Sequence, residues 1–171
     1  MKIYLVSKKT LMVIFITTLI ISIPILFLGK TAVGTVFYKT NQEPIRMGNP
    51  NKEAMAFTCN VDWGNEVIPD MLEVFEKTGI KITFFITGRW AKNNPDLLKQ
   101  IYKKGHEIRN HAYSYKMHSQ ISEEENYSEI KKTEDAIMEA IGTKPIYFAP
   151  PSGDYGSNTL KAAKELGYKT I

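Results

Sequence analysis

Residues 80–110 read IKITFFITGRWAKNNPDLLKQIYKKGHEIRN, and this stretch decides the fold. Its first eight residues are rich in β-branched and aromatic side chains, which is typical of a buried strand. Asn94 followed by Pro95 is a favourable start for a helix, and Gly105 ends that helix. A second strand follows at residues 106–110. The connection is long enough for a crossover, so the two strands are expected to run parallel.

Outward from this unit, strands and helices continue to alternate. The other predicted elements are strands at residues 54–59, 146–148 and 168–171, and helices at residues 66–77, 122–142 and 157–166. Ser122 and Glu125 form the capping box that opens the longest helix. The resulting order, βαβαβαβαβ, predicts an α/β fold. Periodicity alone leaves two architectures open, a barrel and an open doubly wound sheet.

In both architectures the functional site lies at the carboxyl ends of the strands. This rule selects four segments of the chain as places for functional side chains. They are residues 60–65, 87–93, 110–121 and 149–156.

The N-terminal part of the chain contains one long apolar run. Residues 11–29, LMVIFITTLIISIPILFLG, carry no charge and have about the length that a membrane-spanning helix needs. Lys8 and Lys9 predict a cytoplasmic N-terminus. A cleaved signal peptide is one alternative, although residues 31–34 lack a clear A-x-A cleavage pattern. A buried helix of a soluble core is another. We expect an uncleaved signal anchor, with the following residues outside the cytoplasm.

Four regions are therefore predicted along the chain. They are a cytoplasmic basic segment at residues 1–10, a transmembrane signal anchor at 11–29, a linker at 30–52 and the α/β domain at 53–171. The sequence stops inside a predicted strand, which is expected either of an open sheet or of a truncated domain. The expected location is the cell membrane, with a single span and an extracytoplasmic domain.

Composition and charge exclude several classes of protein. The single cysteine excludes an intramolecular disulfide, and the absence of a Cys/His cluster in the sequence excludes a thiolate zinc site. The net charge is +4, but Lys2, Lys8 and Lys9 supply three of these charges. The remainder of the chain is close to neutral, which argues against a nucleic-acid partner.

Residues that are able to take part in catalysis or metal binding follow three of the predicted strands. Asp62 follows the first strand, where a carboxylate either caps a turn or serves as a metal ligand or acid–base group. His111 follows the third strand, where a neutral imidazole is either a structural residue or a metal ligand. Pro150 and Pro151 follow the fourth strand, where a rigid loop either forms a turn or walls a groove.

The order and spacing of these segments resemble the NodB-homology polysaccharide deacetylases, metal-dependent enzymes that remove acetyl groups from polymers containing N-acetylglucosamine. The resemblance covers about residues 54–171. It is carried by TFFITGRWAKNNPDLLKQIYKKGHEIRNHAYS at residues 83–114 and by PIYFAPPSGDYGSNTLKAAKELGYKTI at residues 145–171. It implies a distorted (β/α) barrel with fewer than the usual eight strands, incomplete at its C-terminus here. An N-terminal signal anchor is common in bacterial members of the family.

The first motif of that family reads Thr-Phe-Asp-Asp-Gly-Pro, with a general base followed by a metal-binding aspartate. In this sequence Asn60 stands at the base position. An amide cannot take up a proton near neutral pH, so Asn60 cannot perform that role. Asp62 matches the metal-binding aspartate, with one residue inserted before it. Alternatively, Asp62 replaces the base and leaves the metal one ligand short.

The second motif of the family supplies two histidines four residues apart. His111 matches the first, but Tyr115 occupies the place of the second, and a phenol of pKa about 10 is a poor substitute for an imidazole. His118 reaches the site only if the loop is rearranged. Ala149 replaces the arginine that orients the base in the family. The resemblance also implies that Pro150, Pro151 and Tyr155 line the substrate groove.

The activity implied by the resemblance is metal-dependent hydrolysis of N-acetyl groups on peptidoglycan or another glycan that contains N-acetylglucosamine. The implied cofactor is a divalent metal, zinc above others, held at the positions of Asp62, His111 and Tyr115. The implied partners are a cell-wall glycan and the membrane. Two alternatives stay open because of the departures above: a non-catalytic cell-surface protein that binds glycans through exposed aromatic side chains, and an inactive fragment.

Overall fold

The computed structural model describes residues 8–13, 15–18 and 43–171 of the chain. The chain divides into two units, Met1–Asn41 and Gln42–Ile171. In the first unit the described residues are helical and their side chains are exposed. No helix among the described residues is long and apolar enough to cross a membrane, and most of the predicted anchor lies outside those residues.

The second unit is built on one parallel sheet of five strands. The strands are β1 (Thr58–Val61), β2 (Thr83–Ile86), β3 (Glu107–Asn110), β4 (Tyr147–Phe148) and β5 (Lys169–Thr170). They lie side by side in chain order, and each pairs in parallel with the next. A doubly wound sheet reverses its strand order at a switch point. The sequential order therefore excludes the doubly wound alternative for these strands and shows a sheet wound in one direction.

Five α-helices connect the strands. They are α1 (Ile68–Thr78), α2 (Gly88–Asn93), α3 (Pro95–Lys103), α4 (Glu123–Ile141) and α5 (Ser157–Glu165). Crossovers between neighbouring parallel strands are right-handed as a rule, which is expected to place these helices on one face of the sheet. The N-terminal cap predicted for α4 is present, because Ser122 Oγ accepts a hydrogen bond from the Glu125 backbone N–H at 3.1 Å. Gly142 ends α4 in a left-handed conformation, with φ of 70°.

The α2 helix was not predicted from the sequence. Its six residues are too few to show a helical period, and it begins with a glycine. Two backbone hydrogen bonds from outside the helix hold its first turn: Gly88 N–H donates to Ala112 O at 2.9 Å and Arg89 N–H donates to Tyr113 O at 3.1 Å. Contacts with the loop after β3 therefore stabilise α2 where local propensity does not.

The helix-covered face of the sheet forms the hydrophobic core. Phe84, Ile86 and Ile108 project into it and pack with the buried side chains of α1 and α3, such as Leu72 and Leu98. A second buried cluster lies between β4, α4 and α5, and it contains Phe148, Ile130, Ala162, Ala163 and Tyr168. Val61, Ile86 and Phe148, which are the last residues of β1, β2 and β4, belong to these clusters, so the core fixes the carboxyl ends of those strands.

The opposite face of the sheet carries polar side chains beside the rings of Phe85 and Tyr147. Successive residues of a strand point to opposite faces, so Asn60, Thr83, Glu107 and Arg109 share this side. Thr83 Oγ1 donates to Glu107 Oε2 at 2.9 Å, and Arg109 forms an ion pair with Glu107 at 3.2 Å. The Arg109 guanidinium also lies 5.3 Å from the centre of the Tyr147 ring, within the range of a cation–π contact.

Residues 43–48 lie beside the last strand. Ile45 N–H donates to Thr170 O at 2.9 Å, and Pro44 is buried. Arg46 donates to the hydroxyl of Tyr155 at 2.6 Å. The C-terminal part of the segment predicted as a linker thus belongs to the same unit as the sheet, while the linker itself stays a prediction.

Candidate functional site

The carboxyl ends of the first three strands meet around one cavity of about 350 Å³. The side chains that line it are Asn60, Asp62, Trp63, Arg89, His111 and Tyr115. The structure therefore brings together four of the site residues that the sequence singled out, Asn60, Asp62, His111 and Tyr115. Their catalytic and metal-binding roles stay predictions. Parallel strands end at one edge of a sheet, which is why residues so far apart in sequence converge here.

Two residues that follow β2, Thr87 and Arg89, donate hydrogen bonds to Asp62. Its Oδ1 accepts hydrogen bonds from Thr87 Oγ1 at 2.7 Å and from Arg89 Nε at 2.6 Å. Arg89 Nη2 donates to Oδ2 in the same fork, so the guanidinium engages both carboxylate oxygens. The hydrogen bonds from Arg89, with that from Thr87, lower the pKa of Asp62 below its usual value, although burial opposes this. The carboxylate of Asp62 is therefore already paired with a cation, the guanidinium of Arg89.

The ion pair predicts how stability depends on pH. An aspartate in the unfolded chain has a pKa near 3.9, and the pKa of Asp62 in the folded chain is lower. The pair thus stabilises the fold fully above about pH 4, and this stabilisation is lost as the pH falls through the lower folded pKa. We expect Asp62→Asn to unfold more easily than the wild type by up to about 1 kcal/mol at pH 7, because Arg89 is partly exposed.

Urea unfolding at pH 7, 5 and 3 measures this difference. It should be largest at pH 7 and should shrink at pH 3. Asp96→Asn is the matched control, because Asp96 is exposed and makes only a 3.4 Å pair with Lys99. The control should change little at any of the three pH values. If the loss of unfolding free energy in Asp62→Asn grew at acid pH, the stabilising ion pair between Asp62 and Arg89 would be contradicted.

His111 presents a single acceptor to the cavity. It is 1% exposed, and burial lowers its pKa, so the ring is neutral near pH 7. Nδ1 lies 2.7 Å from Ala149 O, and because a carbonyl only accepts, Nδ1 carries the proton. Nε2 therefore has a free lone pair, and this buried atom has no hydrogen-bond partner. It can accept a hydrogen bond or ligate a cation.

Buried polar side chains of β3 and α4 hold the loop after β3 in place. Asn110 donates to Ile130 O at 2.9 Å and accepts from the Ala112 backbone N–H at 2.9 Å. Glu129 of α4 accepts from both the backbone N–H and the hydroxyl of Ser114. These contacts set the position of Tyr115, whose ring centre is 5.9 Å from that of His111. About half of Tyr115 is exposed to solvent.

The structure places the other candidate residues away from this cavity. Pro150 and Pro151 are buried, and they reach the site only through Ala149, which bonds His111. Tyr155 bonds Arg46, which borders a groove on the face of the sheet opposite the helices. His118 is 0% exposed, and its Nδ1 lies 2.6 Å from Asn126 Oδ1. His118 is thus packed inside the fold as a structural residue.

The residues present do not fit an Asp-His-His metal site. A catalytic zinc site requires three protein ligands and one open position. Within the described ranges, no group of three His, Cys, Asp or Glu side chains is arranged to hold a metal. Asp62 is taken by Arg89, whose positive charge also repels a divalent ion from the cavity. Nε2 of His111, in contrast, is a buried ligating atom without a hydrogen-bond partner.

Arg89 and Thr87 are the functional residues that the sequence did not reveal. Both lie within residues 87–93, one of the four strand ends selected in advance, but no role was assigned to them. The available signal was an arginine three residues beyond β2, the strand next to the one that Asp62 follows. The sequence does not show the direction of the Arg89 side chain, so its contact with Asp62 is visible only in the three-dimensional structure.

Comparisons with known proteins also point to polysaccharide deacetylases. The family model described as polysaccharide deacetylase matches residues 47–171. The uncharacterized protein YlxY of Bacillus subtilis is 42% identical over 129 residues, which are 75% of this chain and 40% of that protein. A peptidoglycan-N-acetylglucosamine deacetylase of Bacillus cereus is 32% identical over 124 residues, 72% of this chain and 45% of that enzyme.

Among solved structures, BA3943, a CE4 family pseudoenzyme from Bacillus anthracis, is similar to this chain with a TM-score of 0.74 and 38% identity. The match covers 76% of this chain and 46% of that one. The chain thus spans less than half the length of each of these three relatives. Since the family model covers most of the chain and the fold and strand-end motifs agree with it, the protein belongs to the polysaccharide deacetylase family.

Proposed function

We propose that this protein is a non-catalytic member of its family that binds N-acetylated cell-wall glycan. One observation carries the proposal: the carboxylate of Asp62 is held by the guanidinium of Arg89, in a cavity where Asn60 replaces the general base. Amide hydrolysis in this family uses a metal-bound water and a base that takes its proton. The cavity holds an amide at the position of that base, and its one carboxylate is paired with Arg89 instead of being open to a metal.

The cavity keeps features suited to binding. Trp63 is 82% exposed and Tyr115 is 49% exposed, so two large aromatic surfaces border a polar opening. Asn60 offers both donor and acceptor groups, and His111 Nε2 offers an acceptor without a partner. Apolar surfaces with a few convergent polar groups are typical of small-molecule sites. The likeness to the pseudoenzyme BA3943 supports the absence of catalysis, and the likeness to the Bacillus cereus deacetylase supports peptidoglycan as the glycan.

An acetate-release assay tests the absence of hydrolysis. N-acetylglucosamine oligomers are incubated with the full chain and added zinc or cobalt. The comparison is with the Asp62→Ala, His111→Ala double variant. We expect no more acetate from the wild type than from this variant. Metal-stimulated release above that background would overturn the proposal and support the deacetylase and the divalent metal that the resemblance implied.

Retention on insoluble peptidoglycan tests the binding. We expect the wild type to sediment with peptidoglycan and the Trp63→Ala, Tyr115→Ala double variant to stay in solution. Tyr102→Ala is the matched control, since Tyr102 is an exposed aromatic residue on α3, outside the cavity. Equal retention of the wild type and the cavity variant would contradict glycan binding at this site.

The proposed location is the cell membrane, with the domain on the outer side. The proposal rests on the apolar run at residues 11–29 and on Lys8 and Lys9 before it. Protease treatment of intact cells should degrade the domain and leave a membrane-bound N-terminal fragment. The one-directional sheet likewise supports the distorted barrel that the resemblance implied.

A further inference from the structure

The segments that precede the five strands share the end of the sheet opposite the cavity, because parallel strands all begin at one edge. These segments are residues 54–57, 79–82, 102–106, 142–146 and 166–168. They contain no aspartate or glutamate, but they contain four lysines, Lys81, Lys103, Lys104 and Lys144. The segments beyond the carboxyl ends of the strands carry both signs of charge. We call the surface at the amino ends the lysine face.

Hydrogen bonds made by two of these lysines join neighbouring segments of the lysine face. Lys81 Nζ donates to Lys104 O at 2.7 Å, between the segments before β2 and β3. Lys144 Nζ donates to Leu166 O at 3.1 Å, between the segments before β4 and β5. The lysines therefore belong to adjoining segments of one surface instead of being scattered over the domain.

Two cations of the lysine face are left for a partner outside the chain. Lys104 and Lys144 form ion pairs with glutamates of α1 and α4. Lys81 and Lys103 are exposed, and within the part of the chain that the structure describes neither forms an ion pair with a carboxylate. A lysine ammonium is a compact cation that binds phosphate groups well. The lysine face is therefore suited to a phosphate-bearing, anionic partner.

Large apolar side chains lie beside these lysines. Ile80 is 40% exposed, Tyr102 is 41% exposed and Ile146 is 49% exposed, and each lies within two residues of a lysine of this face. The hydroxyls of Tyr102 and Thr143 are 3.0 Å apart, which joins the segments before β3 and β4. Cations next to apolar groups match the surface of a bilayer, where ammonium groups meet lipid phosphates and apolar side chains enter the acyl boundary. A dissolved polyanion would leave the two isoleucines in water.

We propose that the lysine face docks on the surface of a bilayer that contains anionic lipids. Docking turns the carboxyl ends of the strands away from the bilayer, so the cavity around Asn60 and His111 stays open to the surrounding solution. The inference goes beyond the proposed function, because the lysine face takes no part in glycan binding. It concerns how the domain is oriented on a membrane.

Fluorescence of the full chain reconstituted in vesicles tests the docking. A polarity-sensitive dye is attached to Ile80→Cys in a chain whose own thiol is removed by Cys59→Ser. We expect its emission to shift to shorter wavelength in vesicles of phosphatidylcholine and phosphatidylglycerol, relative to vesicles of phosphatidylcholine alone. A dye at Met117→Cys, in the loop after β3, should show no such difference. Salt at about 1 M should reduce the shift at residue 80, because the Debye length falls to about 3 Å.

The Lys81→Gln, Lys103→Gln double variant removes the two unpaired cations. It should lower the ratio of docked to undocked protein by about tenfold or more, because each lysine near an anionic surface adds to the binding. Lys92→Gln, Lys132→Gln is the matched control, since it removes the same charge from exposed positions on α2 and α4 and should dock as the wild type does.

Three outcomes would overturn the proposal. The first is equal emission of the dye at residue 80 in the anionic and the neutral vesicles. The second is a Lys81→Gln, Lys103→Gln variant that docks as the wild type does. The third is the same emission change when polyphosphate is added without vesicles, which would show a surface for dissolved polyanions instead of lipid. None of these outcomes bears on retention by peptidoglycan, so the proposed function is tested separately.

Discussion

Replacing Gly88 by alanine is expected to destabilise the folded domain by about 3 kcal/mol and to lower its Tm by roughly 10 °C. A Cβ atom at this position would lie 2.5 Å from Tyr113 Cδ2, 2.6 Å from Thr133 Oγ1 and 2.9 Å from Thr133 Cα. The side chain of Tyr113 can rotate, but the backbone of α4 at Thr133 cannot give way locally. The α2 helix must therefore move away from α4, and it carries Arg89 with it.

Chemical denaturation of the full chain measures this effect. Gly48→Ala is the matched control, because a Cβ at Gly48 would meet nothing within 4 Å. The control should change the free energy of unfolding by no more than about 0.5 kcal/mol. If Gly88→Ala were as stable as the wild type, the close packing of α2 on α4 would be wrong, and with it the position of Arg89 beside Asp62.

The second large effect is a gain of metal binding. We expect the Arg89→Ala, Tyr115→His double variant to bind zinc at least about 100-fold more tightly than the wild type. Loss of the guanidinium frees Oδ2 of Asp62, leaves Oδ1 with the hydrogen bond from Thr87 alone, and removes a competing cation. The new imidazole faces the same cavity as His111, since the ring of Tyr115 lies 5.9 Å from that ring. Even an indirect supporting group changes metal affinity by about 10–100-fold, so a restored ligand should do at least as much.

Titration with zinc followed by calorimetry measures this gain. Arg89→Ala, Tyr115→Phe is the matched control, which removes the same cation and supplies no ligand. Adding His111→Ala to the double variant should abolish the gain, because Nε2 of His111 is the acceptor without a partner. Equal zinc affinity in the double variant and in its phenylalanine control would mean that Asp62 and His111 are not placed to share an ion.

The candidate site was largely predictable because strand order determines which residues meet. Asn60 lies near the end of β1, and Asp62, His111 and Tyr115 follow strands. The ends of parallel strands converge whatever the details of packing. The prediction for Tyr155 rested on the resemblance alone, and the structure places its hydroxyl against Arg46, which lies 109 residues earlier in the chain. Local patterns carry no information on a contact of that range.

The sequence by itself determined the order of strands and helices, the parallel arrangement and the family. These depend on hydrophobic period, on glycines such as Gly79 and Gly142 at helix ends, and on crossover length, all of which are local. Tertiary structure alone decided the electrostatic state of the site. Whether Asp62 faces a metal or a guanidinium depends on the direction in which Arg89 leaves α2. Packing against the loop after β3 and against α4 sets that direction, and no stretch of neighbouring residues encodes it.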